Sequence, residues 1–171
     1  MKQWDEIHIL VCQIIAQRST CAKVQVGAVL AMENRIISIG YNGVAPGQIH
    51  CNEIFDVEMF KQLKDYQDNG TFNGAHAMGL QQEAEDHTAF QKENEIHAEA
   101  NCLLWAARKG VETEGATLYC TMSPCNDCSK LIIAAGVERV VYLELYDKET
   151  KGLELMEKVG IEVIPFMEEN E

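Results

Sequence analysis

Apolar side chains recur every three or four positions at the start of the chain. The positions are Trp4, Ile7, Leu10, Val11, Ile14 and Ile15. This spacing predicts an amphipathic helix that ends near Arg18. Two segments rich in valine and isoleucine follow, VQVGAVLA and RIISIGYN, with MEN between them. They predict the two strands of a β-hairpin.

Helical and strand patterns alternate in the second half of the chain. We predict helices at about 97–109, 125–135 and 150–159, and strands in ATLYCTM, RVVYLEL and IEVIPF. Alternation of this kind is typical of a largely parallel sheet that is covered by helices on both faces. The pattern therefore predicts an α/β fold.

Neither period persists between residues 43 and 94. This stretch contains GVAPGQIHCNE and QDNGTFNGAHAMGL, the second of which is rich in glycine and asparagine. We predict an irregular insertion at about 43–94 within a single domain that covers residues 1–171, since this length suits one domain. A stretch of that length without regular structure is unusual in a compact domain. We therefore expect either an interaction that anchors it to the rest of the domain or a flexible lid.

Composition narrows the classes of partner. The chain has 14 Lys and Arg against 27 Asp and Glu, a formal charge of -13, which argues against a broad face for nucleic acid. The start lacks the charged-then-apolar order of a secretory leader, and no apolar run approaches the length that spans a membrane. We expect a soluble, cytoplasmic protein. Its 7 cysteines would then be thiols or metal ligands rather than disulfides.

The segment SPCNDC carries the most specific chemical signal. Cys125 and Cys128 have the Cys-x-x-Cys spacing of zinc sites, and Pro124 suits the first turn of a helix. A helix N-terminus favours thiolate over thiol, so both sulfurs would be ready to bind a metal. A catalytic zinc commonly has three protein ligands and one open position, and His97 is the candidate for the third ligand.

The segment NEIHAEANCLLWAARKG places His97 and Glu99 two positions apart, where a helix is predicted to begin. Residues two apart do not share a helix face, but the N-terminal end of a helix can direct both to one small volume. Glu99 would then be a general acid and base beside a metal. Redox pairs and structural zinc fingers also use Cys-x-x-Cys, although a finger requires a fourth Cys or His instead of a carboxylate.

Together, HAE at 97–99 and PCNDC at 124–128 form the H-x-E and P-C-x-x-C signature of zinc-dependent nucleobase deaminases. With RSTCAKVQVGAVL, RIISIGYNG and TMSPCNDCSKLIIAAGVERVVYLELYD, the chain resembles the deoxycytidylate (dCMP) deaminases of bacteria and tailed phages, in the cytidine and deoxycytidylate deaminase superfamily. The resemblance covers most of the chain and is weakest at about 54–86. It implies a three-layer α/β/α cytidine-deaminase-like fold with a central mixed five-stranded sheet.

The resemblance also implies an activity, the hydrolytic deamination of dCMP to dUMP and ammonia, which supplies dUMP for thymidylate synthesis. Zinc held by His97, Cys125 and Cys128 would make water a nucleophile near neutral pH. Glu99 would move protons from that water to N3 of the cytosine ring and to the departing amine.

Contacts to the nucleotide are implied at Ser19, Asn42, Ala98, Ser123 and Tyr146. Asn42 would bind the deoxyribose, and a turn asparagine is the alternative. Ser19 would lie near the 5′-phosphate, with positive charge from Arg18 and Lys23, although both could be solvated surface residues. Tyr146 would close the pocket or lie in the core. The backbone at Ala98 and Ser123 would contact the base edge.

A second, structural zinc is implied by the phage-type relatives. Its ligands would be Cys21, Cys51, His87 and Glu95, and it would fasten the insertion. His50 could replace His87 as a ligand. Separately, Cys21 could be a small buried residue and His87 a surface residue.

Assembly and regulation are implied by the resemblance alone. Such deaminases are typically homohexamers, activated by dCTP with Mg²⁺ and inhibited by dTTP. Arg108 could contact a neighbouring subunit or an effector, or be an exposed helix arginine. The rival predictions are a deaminase for tRNA, single-stranded DNA, cytidine, guanine or a riboflavin precursor, and an inactive zinc-stabilised binding module.

Overall fold

The computed structural model describes residues 3–69, 75–146 and 149–167. The helices are α1 (Trp4–Ala16), α2 (Cys51–Ile54), α3 (Val57–Asp68), α4 (Ala75–Asn94), α5 (Ala98–Lys109), α6 (Asn126–Ala134) and α7 (Lys151–Lys158). The strands are β1 (Gly27–Met32), β2 (Arg35–Tyr41), β3 (Gly43–Val44), β4 (Glu95–Ile96), β5 (Thr117–Met122), β6 (Arg139–Glu144) and β7 (Glu162–Pro165). None of the described helices combines the length and the hydropathy needed to cross a membrane.

The chain divides into two compact units. One contains residues 1–19, 26–42 and 97–171, and the other contains residues 20–25 and 43–96. The prediction of one domain over residues 1–171 stays a prediction.

The first unit is built on a mixed sheet of five strands in the order β2-β1-β5-β6-β7. Strands β5, β6 and β7 are parallel, as the alternating pattern predicted, but β1 is antiparallel to both β2 and β5. The hairpin explains part of this difference. Glu33 and Asn34 have positive φ angles of 49° and 64°, which suits a tight two-residue turn and forces antiparallel pairing.

Helices cover both faces of this sheet, so the three-layer prediction is confirmed. Strand residues alternate between faces: Ala28 and Leu30 of β1 pack in the core with α5, α6 and α7, whereas Val29 and Ala31 pack in the core with α1. On the α5 side the core includes Cys102, Ala106, Leu118, Ile132, Val140 and Met156, all fully buried. This packing holds α5 and α6 against the same face of the sheet.

The second unit corrects the prediction of an irregular insertion at about 43–94, because α2, α3 and α4 occupy most of that range. Asp56 caps α3, its Oδ1 accepting a hydrogen bond from the backbone N–H of Glu58 at 2.9 Å. Apolar residues of the two long helices pack together, at Met59, Leu63, Leu80 and Ala84. Helix α4 has few apolar side chains, so it shows little periodicity, but it is rich in good helix formers such as Ala, Gln and Glu. Residues 70–74 of the predicted insertion lie outside the described residues.

Candidate active site

Two helix N-termini converge in the first unit. His97 is the N-cap residue of α5 and Cys125 is the N-cap residue of α6, both with extended backbone, while Cys128 lies in the first turn of α6. His97 Nδ1 lies 3.5 Å from Cys125 Sγ and 3.4 Å from Cys128 Sγ. The helix therefore begins one residue after His97. This cap position lets His97 and Glu99 serve one site although they are two residues apart.

The three ligand atoms of this group lie within 4.8 Å of one another. In a tetrahedral zinc site, bond lengths of about 2.3 Å to sulfur and 2.0–2.1 Å to nitrogen place the S and N atoms roughly 3.5 Å apart. The observed separations of 3.4 and 3.5 Å fit zinc. His97 is exposed, Cys125 is half-buried and Cys128 is buried, so the group is open on one side, as a catalytic site must be.

The two sulfurs share their proton unequally. A hydrogen bond from Cys128 lowers the pKa of Cys125 to about 4, and His97 contributes in the same direction against burial. The same bond, together with burial, raises the pKa of Cys128 well above the ordinary range for a thiol. The negative charge of the thiol pair is therefore held more readily at Cys125 than at Cys128, and binding of a metal requires both sulfurs to be deprotonated.

Glu99 lies in the first turn of α5 with only 4% of its surface exposed. Burial raises the pKa of this carboxyl group, although the charge on His97 and a hydrogen bond with the Cys128 side chain oppose the shift. A carboxyl group with a raised pKa can both accept and donate a proton near neutral pH. The structure therefore places a buried carboxyl group with a raised pKa beside Cys128.

One polar contact at this site was missed from the sequence. Ser129 Oγ donates a hydrogen bond to the backbone carbonyl of Cys125 at 2.9 Å. In helices, a serine hydroxyl can donate a hydrogen bond to the carbonyl four residues earlier. The spacing from Cys125 to Ser129 could therefore have predicted this contact.

The predicted nucleotide contacts are partly brought together. Ser123 Oγ accepts a hydrogen bond from the backbone N–H of Tyr146 at 2.8 Å, which joins the ends of β5 and β6. Asn42 Oδ1 accepts a hydrogen bond from the backbone N–H of Val26 at 2.8 Å. This side-chain oxygen therefore links the residue after β2 to the residue before β1. Ser19 and Ala98 are buried.

Two basic residues that the sequence analysis named as candidate contacts, Lys23 and Arg108, differ in their surroundings. Lys23 belongs to the second unit, where its Nζ lies 5.8 Å from the centre of the Phe60 ring. Arg108 is exposed in the last turn of α5.

The second unit holds the other predicted ligand group. Ligand atoms of Cys21, Cys51, His87 and Glu95 lie within 4.8 Å of one another, and Cys21 Sγ is 3.7 Å from His87 Nε2. His87 and both cysteines are buried, and Glu95 is half-buried. Four donors that are largely shielded from solvent suit a closed, structural zinc. His50 is exposed at the N-cap of α2 and is not part of this group.

Two further observations bear on the second group. Glu95 Oε1 is buried and has no hydrogen-bond partner among the described residues, a cost that a bound cation would remove. Gln91 Nε2 donates to Cys21 Sγ at 3.2 Å and to Glu95 Oε2 at 3.1 Å. The prediction from the sequence missed Gln91, which lies one helical turn from both His87 and Glu95.

The chain matches the family model for the cytidine and deoxycytidylate deaminase zinc-binding region over residues 2–144. It belongs to this family. Deoxycytidylate deaminase of Enterobacteria phage T2 is 37% identical over 163 residues, covering 90% of this chain and 87% of the relative. The corresponding protein of Enterobacteria phage T4 is 36% identical over 170 residues, covering 94% and 88%.

A solved structure gives the same picture. The dCMP deaminase of cyanophage S-TIM5, crystallised with dCMP and dUMP, has a TM-score of 0.69 and 26% identity, covering 97% of this chain and 99% of that chain. The fold described above therefore matches the fold of that protein over nearly its whole length.

Proposed function

We propose that the chain is a zinc-dependent dCMP deaminase that converts dCMP and water to dUMP and ammonia. The observation that carries this proposal is the convergence of His97, Cys125 and Cys128 beside the buried Glu99. The phage relatives at 36–37% identity are deoxycytidylate deaminases, and the S-TIM5 protein was crystallised with this substrate and product.

In this proposal His97, Cys125 and Cys128 hold the zinc ion. Zinc bound there supplies Lewis acidity, which makes water nucleophilic near neutral pH. Glu99 receives the proton that the water loses and carries it to N3 of cytosine, which makes C4 more electrophilic. The oxygen of this water bonds to C4. Glu99 then takes the remaining proton from the hydroxyl group on C4 and delivers it to the amine, so that the C4–N bond breaks, ammonia departs and the C4 carbonyl of uracil forms.

We assign the nucleotide contacts to residues of the first unit. Ser19 binds near the 5′-phosphate and Asn42 near the deoxyribose, with the Asn42 side chain oriented by its bond to Val26. The backbone at Ala98 and Ser123 contacts the base edge. Tyr146 closes the pocket, and its attachment to Ser123 Oγ ties this closing residue to the base-contacting segment.

We further propose a structural zinc on Cys21, Cys51, His87 and Glu95. The support is the set of four donors in one cluster and the buried, unpartnered Oε1 of Glu95 among the described residues. This ion would hold the start of the second unit against α4, because Cys21 and His87 are far apart in the sequence.

The family resemblance supports proposals about assembly and regulation. We propose a cytoplasmic homohexamer whose activity rises with dCTP and Mg²⁺ and falls with dTTP, and which supplies dUMP for thymidylate synthesis. In a phage this would take place in the host cytoplasm. Arg108 is a candidate contact for a neighbouring subunit or for an effector.

Ammonia release tests the proposed activity. The purified, zinc-loaded protein is incubated separately with dCMP, cytidine, dCTP and a short oligonucleotide, with dCTP and Mg²⁺ also added to the dCMP reaction as effector. We expect release from dCMP to exceed release from every other substrate. Preference for cytidine or the oligonucleotide would reject dCMP as the substrate. Release from none of them would favour an inactive zinc-stabilised module.

A further inference from the structure

Helix α7 crosses the beginning of α6 at Gly152, directly behind a proposed metal ligand. A Cβ atom on Gly152 would lie 2.4 Å from Ser129 Oγ and 2.9 Å from both the carbonyl carbon and the carbonyl oxygen of Cys125. Real Cβ contacts are not this short. Glycine is therefore required by space, and the absent side chain lets α7 pack against the cap peptide of α6.

A second glycine stands in the same relation to α5. A Cβ on Gly40 would lie 2.3 Å from the carbonyl oxygen of Ala98 and 2.5 Å from the backbone nitrogen of Cys102. Hydrogen bonds hold the strand and helix together on either side of this contact. Ser38 Oγ donates to the Cys102 carbonyl at 2.7 Å, and Asn101 Nδ2 donates to the Tyr41 carbonyl at 2.9 Å.

We propose that Gly40 and Gly152 are positioning residues for the zinc ligands, because they set where the first turns of α5 and α6 lie. The inference rests on the proposed zinc site. His97 and the two cysteines come from different helices, so their separations of 3.4 and 3.5 Å depend on the placement of both helix beginnings. A packed interior transmits such a displacement instead of absorbing it.

The size of the displacement decides the effect. Moving the backbone contact out to ordinary van der Waals distance requires a shift of at least about 0.5 Å at Gly152 and about 1.1 Å at Gly40. These shifts reach or exceed the tolerance of a functional site, about 0.5 Å. Changes to residues that orient metal ligands typically cost about 10- to 100-fold in metal affinity. We expect an effect in that range.

The chain offers a matched control at Gly27. A Cβ there would lie 2.1 Å from the carbonyl oxygen of Cys12 and 2.7 Å from the backbone nitrogen of Ala16, so β1 packs on α1 as tightly as β2 packs on α5. Helix α1 contributes to neither ligand group of the described residues. A general loss of packing would therefore affect Gly27→Ala as much as the other two variants.

Zinc affinity measured by chelator competition tests the proposal. The chelator removes zinc in separate phases, and the phase that is absent in Cys125→Ala is assigned to the site that contains His97. Co²⁺ absorption spectra report the ligand geometry of that site. We expect Gly152→Ala and Gly40→Ala to lower the zinc affinity measured in that phase by about tenfold or more and to alter the Co²⁺ spectrum. Gly27→Ala should lower the melting temperature and leave that phase unchanged.

Three outcomes would overturn the proposal. Equal affinity in Gly152→Ala and the parent would remove the positioning role, and an equal loss in Gly27→Ala would reduce it to general packing. Full recovery of affinity in the double variant Ser129→Ala/Gly152→Ala would show that the clash acts only through the serine hydroxyl. If Gly40→Ala does not fold, Gly152→Ala decides alone. A parent protein without any Cys125-dependent phase would instead reject the proposed zinc site itself.

Discussion

His97 Nδ1 and Cys128 Sγ lie 3.4 Å apart although 31 positions separate them in the chain. The contact exists because α5 and α6 begin at the same place, with each helix directing its cap residue or first turn toward the other. A helix N-terminus favours negative charge, which suits a thiolate at Cys125, the N-cap residue of α6. The chemistry of the site therefore follows from where two helices begin.

The role of Glu99 leads to the first prediction. Glu99→Gln keeps the size and the hydrogen-bonding capacity of the side chain but cannot carry a proton. We expect ammonia release from dCMP to fall by roughly 100- to 10,000-fold, the usual contribution of a general acid and base, while zinc content per chain is unchanged. Glu112→Gln, an exposed glutamate, serves as the control. Release at the parent rate in Glu99→Gln would contradict the assignment.

Metal content gives the second prediction. Two separate ligand groups predict about two zinc ions per chain, measured by atomic emission after dialysis. Cys125→Ala and Cys51→Ala should each lose about one, while Cys120→Ala should lose none because this buried cysteine belongs to neither group. If the parent protein held only one zinc ion, the second site would be rejected.

The sequence predicted which candidate ligands cluster better than it predicted their surroundings, for a physical reason. Metal binding requires particular residue types at particular spacings, so the motifs HAE and PCNDC can be recognised from the sequence alone. The close approach of Gly152 to Cys125 depends on how α7 packs on α6, and nothing in the local sequence encodes that distance.

Helix α4 shows a different limit. Its apolar positions are few and do not recur at a helical period, so the periodicity does not predict a helix, and only its composition favours one. Once residues 75–94 are read as helix, His87, Gln91 and Glu95 follow at intervals of four. The contacts of Gln91 were therefore predictable only after the secondary structure was known.

Gln91 leads to the third prediction. Its amide donates to two proposed ligands of the second zinc, so Gln91→Leu removes both bonds and keeps an apolar stem. We expect zinc affinity at the second site to fall by about tenfold, measured by chelator competition. Gln82→Leu is the matched control, because on the same helix Gln82 donates to the exposed Asp86, which belongs to neither ligand group of the described residues. Equal affinities in the two variants would contradict the role of Gln91.

His8 leads to a prediction about pH and stability. The ring is 1% exposed, its centre lies 4.6 Å from that of Tyr119, and its Nδ1 has no hydrogen-bond partner among the described residues. Burial lowers the pKa of His8, against opposing contributions from the backbone of Asn34 and the charge of Asp5. The folded protein therefore holds His8 in its neutral form.

The sign of the effect follows from this lowered pKa. Below the ordinary pKa of about 6.5 the unfolded chain binds a proton at His8 that the folded chain excludes, so acidification favours unfolding. The stability that neutral His8 contributes is complete above about pH 6.5 and is lost as the pH falls toward the folded-state pKa.

His8→Phe keeps an aromatic ring beside Tyr119 and removes the titration. In urea unfolding of the zinc-loaded protein, the free energy of unfolding should fall less in His8→Phe than in the parent between about pH 7.5 and about pH 5.5. Parallel pH profiles for the parent and His8→Phe would show that the buried ring does not couple protonation to folding.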